Sequence, residues 1–266
     1  MRPVTVRVKD CLRCGRPFLA KRADAKFCSG ACRVGWHRSP GRTTRVPVAL
    51  DLFCGAGGAG KGLQDAGFDV VGVDIEEQPD YPGLFIQGDA LACRALDEYD
   101  LIWASPPCQE FSIARTPRAV TDTVDLIADT RALLEGHPLT VIENVRGAPM
   151  REDLELRGIE FGLPVPRVRI FELSFEVPAP PRIEPRRRGR ALVALHGKGP
   201  ADRAQKDARV LTGLPAQPSV DELQDALGID HVVTGTKSDR RRRIVQAIPS
   251  VYAEWIGRAA MRQIRS

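Results

Sequence analysis

Apolar residues in the body of this chain come in short runs, separated by turns rich in glycine, proline and acid. Val48-Ala-Leu-Asp-Leu-Phe53 is one such run, short enough for a buried strand. The stretch that follows, Cys54-Gly55-Ala56-Gly57-Gly58-Ala59-Gly60, can adopt positive φ and bring its backbone close to a ligand. A helix is predicted from about Gly58 to Ala66, with unpaired N–H groups at its start. Phe68–Asp74 reads as a second strand ending in a carboxylate. Leu84–Ile86 reads as a third, leading to Gly88-Asp89, and Asp100–Ala104 as a fourth, leading to Ser105-Pro106-Pro107-Cys108. Thr121 to Glu135 has helical spacing, with Val124, Ile127, Ala128 and Leu134 near one face and Gly136 as the stop. Leu139–Ile142 is a fifth strand, ending in Glu143-Asn144-Val145. Strands alternating with helices predict an α/β fold, a mostly parallel sheet with helices on both faces. Its ligand site belongs in the loops at the carboxyl ends of the strands.

Composition adds a division that this pattern does not show. The chain has 266 residues, 43% hydrophobic and 27% charged, values ordinary for a soluble globular protein. Residues 1–46 hold twelve Lys and Arg against two acids, Asp10 and Asp24, a net +10. The rest holds 27 against 32, a net −5. A basic head therefore precedes a mildly acidic body at 47–266, large enough for one core, and the two are expected to have different partners. No apolar run has the roughly 18 residues of a membrane span. The N-terminus lacks a signal-peptide apolar region, so a cytoplasmic location is expected. Seven cysteines without an export signal argue against a disulfide framework.

Four of those cysteines crowd the head. Cys11 and Cys14 form a C-x2-C knuckle, and Cys28 and Cys32 form a C-x3-C pair after a 13-residue gap. The knuckle aims two sulfurs at one point, and i, i+4 spacing puts the other two on one helix face. Together they predict a tetrahedral structural zinc site, with His37 as a substitute ligand. So short a segment needs metal binding to fold. Its FCS..CR ending resembles small treble-clef-like zinc modules. The excess positive charge suits phosphate contact. Phe18, Phe27 and Trp36 are either base-stacking groups or the module's core, and residues 38–47 read as a basic linker.

The body carries an ordered set of blocks: DLFCGAGG, VGVD, GD, SPPCQEFS, IENV and PRVRIFE. In this set the chain resembles the DNA (cytosine-5)-methyltransferase family, over about 48–175 and again at 223–257, most closely its compact phage-type members. The resemblance implies a Rossmann-like fold that binds S-adenosylmethionine. It implies Cys108 as the nucleophile that adds to cytosine C6, since C5 alone is a poor nucleophile. It implies Glu143 as the acid at N3, with a pKa raised by burial, and Asn144 as the residue orienting that loop. Arg169, with Arg167 beside it on a strand, would bind the cytosine carbonyl oxygen or help hold Cys108. Phe53, Gly55, Gly57, Asp74, Ile75, Asp89, Pro107 and Gln246 would form the cofactor pocket, Asp74 taking the ribose hydroxyls. Cys54 and Cys93 are expected to be buried small hydrophobes.

Because a duplex buries C5 and C6, double-stranded DNA would have its target cytosine flipped out. The segment 109–120 would then close over the base, with Arg115 and Arg118 contacting phosphates. Arginines at 182–190 and 240–243 would extend this basic path. The sequence departs from the family pattern at Val165, where a Gln often stands, and at Gln246, where Asn is usual. The recognition segment, about 176–222, is short. A monomer acting in DNA methylation, in a phage or restriction-modification setting, is the leading expectation. A tRNA cytosine-5 methyltransferase, an inactive nucleic-acid-binding module and transfer of a related group to C5 are the alternatives.

Overall fold

The computed structural model describes residues 7–12, 15, 17–20, 22, 24–28, 32–33, 46–107, 126–180, 219–229, 231 and 233–266. Cys14, Trp36, His37, Cys108, the 109–120 segment and residues 182–190 lie outside the described residues.

In the head, β1 (Arg7–Asp10) and β2 (Pro17–Ala20) form an antiparallel hairpin. Cys11 follows β1 directly and accepts Gly15 N–H at its carbonyl.

The body strands match the apolar runs. They are β3 (Val48–Leu52), β4 (Asp69–Asp74), β5 (Leu84–Gln87), β6 (Leu101–Ala104), β7 (Thr140–Asn144), β8 (Leu154–Leu156) and β9 (Arg169–Leu173). They make one seven-stranded sheet in the order β5-β4-β3-β6-β7-β9-β8. The first five are parallel, whereas β9 runs antiparallel to both β7 and β8. The mostly parallel sheet read from the sequence is therefore borne out, with an antiparallel edge added. Among the described residues of the body there are five α-helices: α1 (Gly58–Asp65), α2 (Leu126–Leu133), α3 (Val220–Ala226), α4 (Lys237–Gln246) and α5 (Ser250–Arg265).

Alternation along the strands sorts the core onto two faces. Leu50, Leu52, Val71, Val73, Ile102 and Ile142 pack on one face with Leu134, just beyond α2. Ala49, Val70, Leu101, Trp103, Val141 and Phe171 pack on the other with Leu63 of α1 and Tyr252, Ala253, Ile256 and Ala260 of α5. That spacing in α5 is a helical stripe. Trp103 meets Phe171 edge-on at 5.7 Å, and Phe171 meets Tyr252 at 6.4 Å. Full burial of one such ring stabilises the fold by about 3 kcal/mol.

The register places Asp51 opposite Gly72 and Trp103, hence on the α1–α5 face. The gap left by Gly72 is filled by Tyr81, from the loop after β4. A Cβ at Gly72 would lie 2.4 Å from Tyr81 Cζ, and one at Gly60 would lie 2.3 Å from its hydroxyl. Tyr81 OH donates to Asp51 Oδ2 at 2.9 Å. Gly72→Ala should therefore displace a buried ring and cost about 1–3 kcal/mol, the usual range for overpacking. Urea unfolding would measure this, and an unchanged midpoint would contradict the packing.

Candidate active site

β3 has β4 on one side and β6 on the other, so the chain leaves β3 and β6 toward different neighbours. The loops beyond their carboxyl ends part at this switch point and open a crevice. Phe53, Gly55 and Gly57 all have positive φ, at 56°, 48° and 83°. For Phe53, which is not glycine, this costs of order 1–3 kcal/mol, and such strain clusters at ligand sites. A Cβ on Gly55 would meet nothing within 4 Å, so the space beside it is open to a ligand. Gly57 differs, because its Cβ would fall 2.3 Å from Pro82 Cδ. Its lack of a side chain serves internal packing.

Asp74 ends β4 and fastens this loop. Its Oδ2 accepts from Gly55 N–H at 2.8 Å, and its Oδ1 from Glu76 N–H at 2.9 Å. Each oxygen retains a second lone pair, so capacity remains for ribose hydroxyls. Next to it Ile75 is 74% exposed, a large apolar side chain offered to solvent at the end of the strand. Asp89, just past the neighbouring strand, is exposed and accepts from Leu91 N–H at 2.9 Å, leaving its other oxygen outward. Pro107 and Gln246 are exposed. Open space at Gly55, a free apolar surface and two strand-end carboxylates fit an adenosyl group with a polar tail.

Glu143 and Arg169 form the polar centre. In the β7–β9 register Glu143 faces Phe171, so Arg169, two residues along, is a diagonal neighbour on the same face. Arg169 Nε lies 2.8 Å from Glu143 Oε1, with both side chains about nine-tenths buried. Burial pushes the Glu143 carboxyl above its ordinary range, and Arg169, Arg167 and a hydrogen bond from Ser105 oppose the rise. Asn144 Nδ2 donates to Pro106 O at 3.1 Å. The end of β7 thereby holds the turn that leads to Cys108. The expected orienting role of Asn144 has this geometric counterpart.

Arg167 departs from expectation. It is not on the strand beside Arg169. It precedes β9 with φ of 30°, and its Nη2 donates to Val245 O at 2.6 Å and Ala247 O at 2.8 Å. It ties the α4–α5 connection to the segment entering β9, and Tyr252 OH donates to its carbonyl at 2.8 Å. Val165 is wholly buried among Val220, Leu223, Leu227 and Ile244, which accounts for an apolar residue there. The 240–243 run also differs from the expected phosphate path. Arg240 pairs with Asp221 at 2.7 Å, Arg242 with Glu76 at 3.1 Å and Arg243 with Asp80 at 3.4 Å. These acids lie far away in sequence, so only folding reveals the neutralisation.

Of the other cysteines, Cys54 is buried and its thiol is pushed far up by burial, as expected of a small hydrophobe. Cys93 is only partly buried, packing at the edge of the α2-side core. In the head, the sulfurs of Cys11, Cys28 and Cys32 lie within 4.8 Å of one another, with Cys28 and Cys32 3.5 Å apart. Sulfurs at about 2.3 Å from a tetrahedral zinc stand roughly 3.8 Å apart, so this donor set fits the ion.

Three residues escaped the sequence reading. Asp51 is fully buried, and its Oδ1 has no hydrogen-bond partner. Burial first of all raises its pKa to about 7. Tyr81 is its partner. Ser105 accepts from Trp103 Nε1 at 2.9 Å and bonds Glu143. A carboxylate inside an apolar strand run was the visible signal for Asp51. Nothing local marks the other two.

The fold is that of the S-adenosylmethionine-dependent methyltransferases, a mostly parallel seven-stranded sheet with an antiparallel edge. Within it, residues 48–155 match the family model described as C-5 cytosine-specific DNA methylase. The type II methyltransferase M.AplI of Arthrospira platensis is 27% identical over 160 residues, 48% of this chain and 46% of that relative. The match thus spans about half of the relative's length. Among solved structures, an E. coli prophage-encoded protein assigned as a DNA modification methyltransferase gives a TM-score of 0.58 at 17% identity. That alignment covers 83% of this chain and 100% of the other. The S. pombe Dnmt2 methyltransferase gives 0.55 at 15% identity, covering 83% and 99%. The Entamoeba histolytica methyltransferase EhMeth gives 0.53 at 12%, covering 84% and 100%. These structures establish likeness of fold, while the family match and the relative support methyl transfer. Among the described residues, no helix is long and apolar enough to cross a membrane.

Asp51 generates a pH prediction. Its pKa is raised from 3.8 to about 7, so the folded state binds a proton that the unfolded state has released. The associated stability is complete below pH 4 and lost as pH rises through 7. Burial gives Glu143 the same sign. Melting temperature should therefore fall between about pH 4 and 7, and Asp51→Asn should flatten that fall. A slope unaltered by the substitution would contradict the assignment.

Proposed function

We propose that this chain transfers a methyl group from S-adenosylmethionine to C5 of cytosine in DNA. The observation that carries the reading is the buried Glu143–Arg169 pair beside the Ser105-Pro106-Pro107 turn that leads to Cys108. A carboxyl whose pKa is raised by burial is suited to give a proton to cytosine N3 as the Cys108 thiolate adds to C6. Arg169 holds Glu143 Oε1, and Ser105 adds a second hydrogen bond that fixes the carboxyl beside the base. Bound S-adenosylmethionine supplies the electrophilic methyl group. Phe53, Gly55, Asp74, Ile75 and Asp89 hold it, with Pro107 and Gln246 at the rim. After transfer, loss of the C5 proton lets the Cys108–C6 bond break and regenerates the thiolate. The target cytosine leaves the duplex stack to reach this crevice.

DNA is favoured as substrate by the family description and by the type II relative. The prophage-encoded neighbour adds the phage or restriction-modification setting to the reading. The protein acts as a monomer with two parts, residues 1–46 and 47–266. In the first, Cys11, Cys14, Cys28 and Cys32 bind a structural zinc ion, supported by the three clustered sulfurs. With Arg240, Arg242 and Arg243 paired to acids, the +10 head takes a larger share of the DNA grip. The segment 181–218, with nine Lys and Arg against three acids, supplies the rest.

Mapping of 5-methylcytosine in host DNA and in tRNA after expression tests the reading. The expected result is a DNA signal abolished by Cys108→Ser and lowered about 100-fold or more by Glu143→Gln. A signal in tRNA alone would replace DNA by tRNA as substrate, and no signal in either would sink the activity.

The head makes its own prediction. The chain should carry one zinc ion, and chelation or removal of residues 1–46 should weaken DNA binding and flatten its dependence on salt. Unchanged affinity and salt slope would rule the head out as a clamp.

A further inference from the structure

The C-terminal segment reaches across to the cofactor side of the sheet at three points. His231 Nε2 lies 2.6 Å from the carbonyl of Ala56, inside the glycine loop. Arg242 pairs with Glu76 at 3.1 Å, but both are about half exposed, so this contact adds little. The third is of another kind. The Asp80 carboxylate accepts Thr234 N–H at 2.6 Å and the Thr234 hydroxyl at 2.8 and 2.9 Å, with Arg243 Nη1 at 3.4 Å. Hydrogen bonds to a carboxylate are about twice as strong as neutral ones. Asp80 and Arg243 are 16% and 18% exposed, which limits screening.

Asp80 lies in the loop that carries Ile75 away from Asp74. On its inner side that loop is anchored by buried Gln78 and Tyr81, with Tyr81 N–H donating to Gln78 O at 3.1 Å. Ile75, Glu76 and Glu77 are exposed. The outer arm of the loop has Asp80 as its most protected tie to the rest of the body, and that tie spans 154 residues of sequence.

We infer that Asp80 and Thr234 form a latch that positions Asp74 and Ile75 for the methyl donor. They are positioning residues, acting through the loop without touching the reacting atoms. The inference rests on the proposed reading of Asp74 and Ile75 as donor-binding residues. With the latch closed, the donor meets an ordered loop. With it broken, donor binding must also order the loop, and affinity falls by that entropy. Bond making at Cys108 and Glu143 is left alone.

Calorimetric titration of the full chain with S-adenosylmethionine and with its demethylated product tests this, alongside steady-state methylation of DNA. Asp80→Asn and Thr234→Val should weaken donor binding about tenfold, equivalent to about 1.4 kcal/mol. They should raise the donor KM equally and leave kcat within about twofold, because the lost interaction is made equally in ground and transition states. Thr234→Ser keeps both donors and should behave as the parent chain. Thr234 is exposed, so its variants are expected to fold, and a melting curve verifies this. If the parent binds the donor and Asp80→Asn and Thr234→Val bind it equally well, the latch is overturned while the methyltransferase reading stands. A fall in kcat at constant KM, or Thr234→Ser as weak as Thr234→Val, also overturns the latch. A parent chain that binds no donor overturns both.

Discussion

A carboxylate at the end of a central strand, about nine-tenths removed from water, is the constraint around which the body is arranged. Left unpaired, Glu143 would cost several kcal/mol or stay protonated. The pairing requires a cation on the same sheet face at diagonal distance, and β9 provides it by running antiparallel to β7. A sixth parallel strand would meet β7 in a different register and would leave the loop before it at the other end of the sheet. The reversed strand also brings in Arg167, which grips the α4–α5 connection, and that connection leads into the helix that covers the aromatic core. Acid, arginine and C-terminal helix thus form one continuous support.

The same sheet face holds the other polar groups that matter. Asp51 and Glu143 alternate with aliphatic residues facing the opposite layer, as a period of two requires. Tyr81 donates to one oxygen of Asp51, and Ser105 links Trp103 to Glu143, so most of these polar ends find a partner inside an otherwise apolar layer, Asp51 Oδ1 being the exception. The opposite face, covered by α2, is mostly aliphatic, apart from Asn144 at the end of β7 and Glu172, which Arg131 holds at 2.9 and 3.0 Å. One face is mainly aliphatic packing and the other holds the buried carboxyls Asp51 and Glu143, within the same strands.

Charge read along the chain and charge read in space differ. The +10 head and −5 body come from simple counting. The arginine run at 240–243 looked like a surface for phosphates, yet three of its members meet Asp221, Glu76 and Asp80. Arg131, Arg151, Arg157 and Arg258 are likewise bound to acids. Arg131 and the α4 arginines join separated segments, while Arg151, Arg157 and Arg258 meet acids two to four residues away, and the body keeps less free positive charge than its sequence implies.

Much of the fold was legible because buried parallel strands are continuous apolar runs. Val48–Leu52, Asp69–Asp74 and Leu101–Ala104 stand out between turn residues without any knowledge of their neighbours. Phe53, Gly55, Asp74, Asp89, Glu143 and Asn144 were placed for the same reason, since they sit at or near the ends of those runs, while their expected roles came from the family resemblance. What the sequence by itself determined is therefore local: where strands and helices form, which loops carry chemical groups, and where the charge and the cysteines concentrate. Tertiary structure alone decided the antiparallel turn of β9, the removal of Arg167 from the strand, the seating of Tyr81 against Asp51 and the ion pairs of α4. Each depends on residues brought together from distant parts of the chain, and periodicity within one segment holds no information about a partner in another.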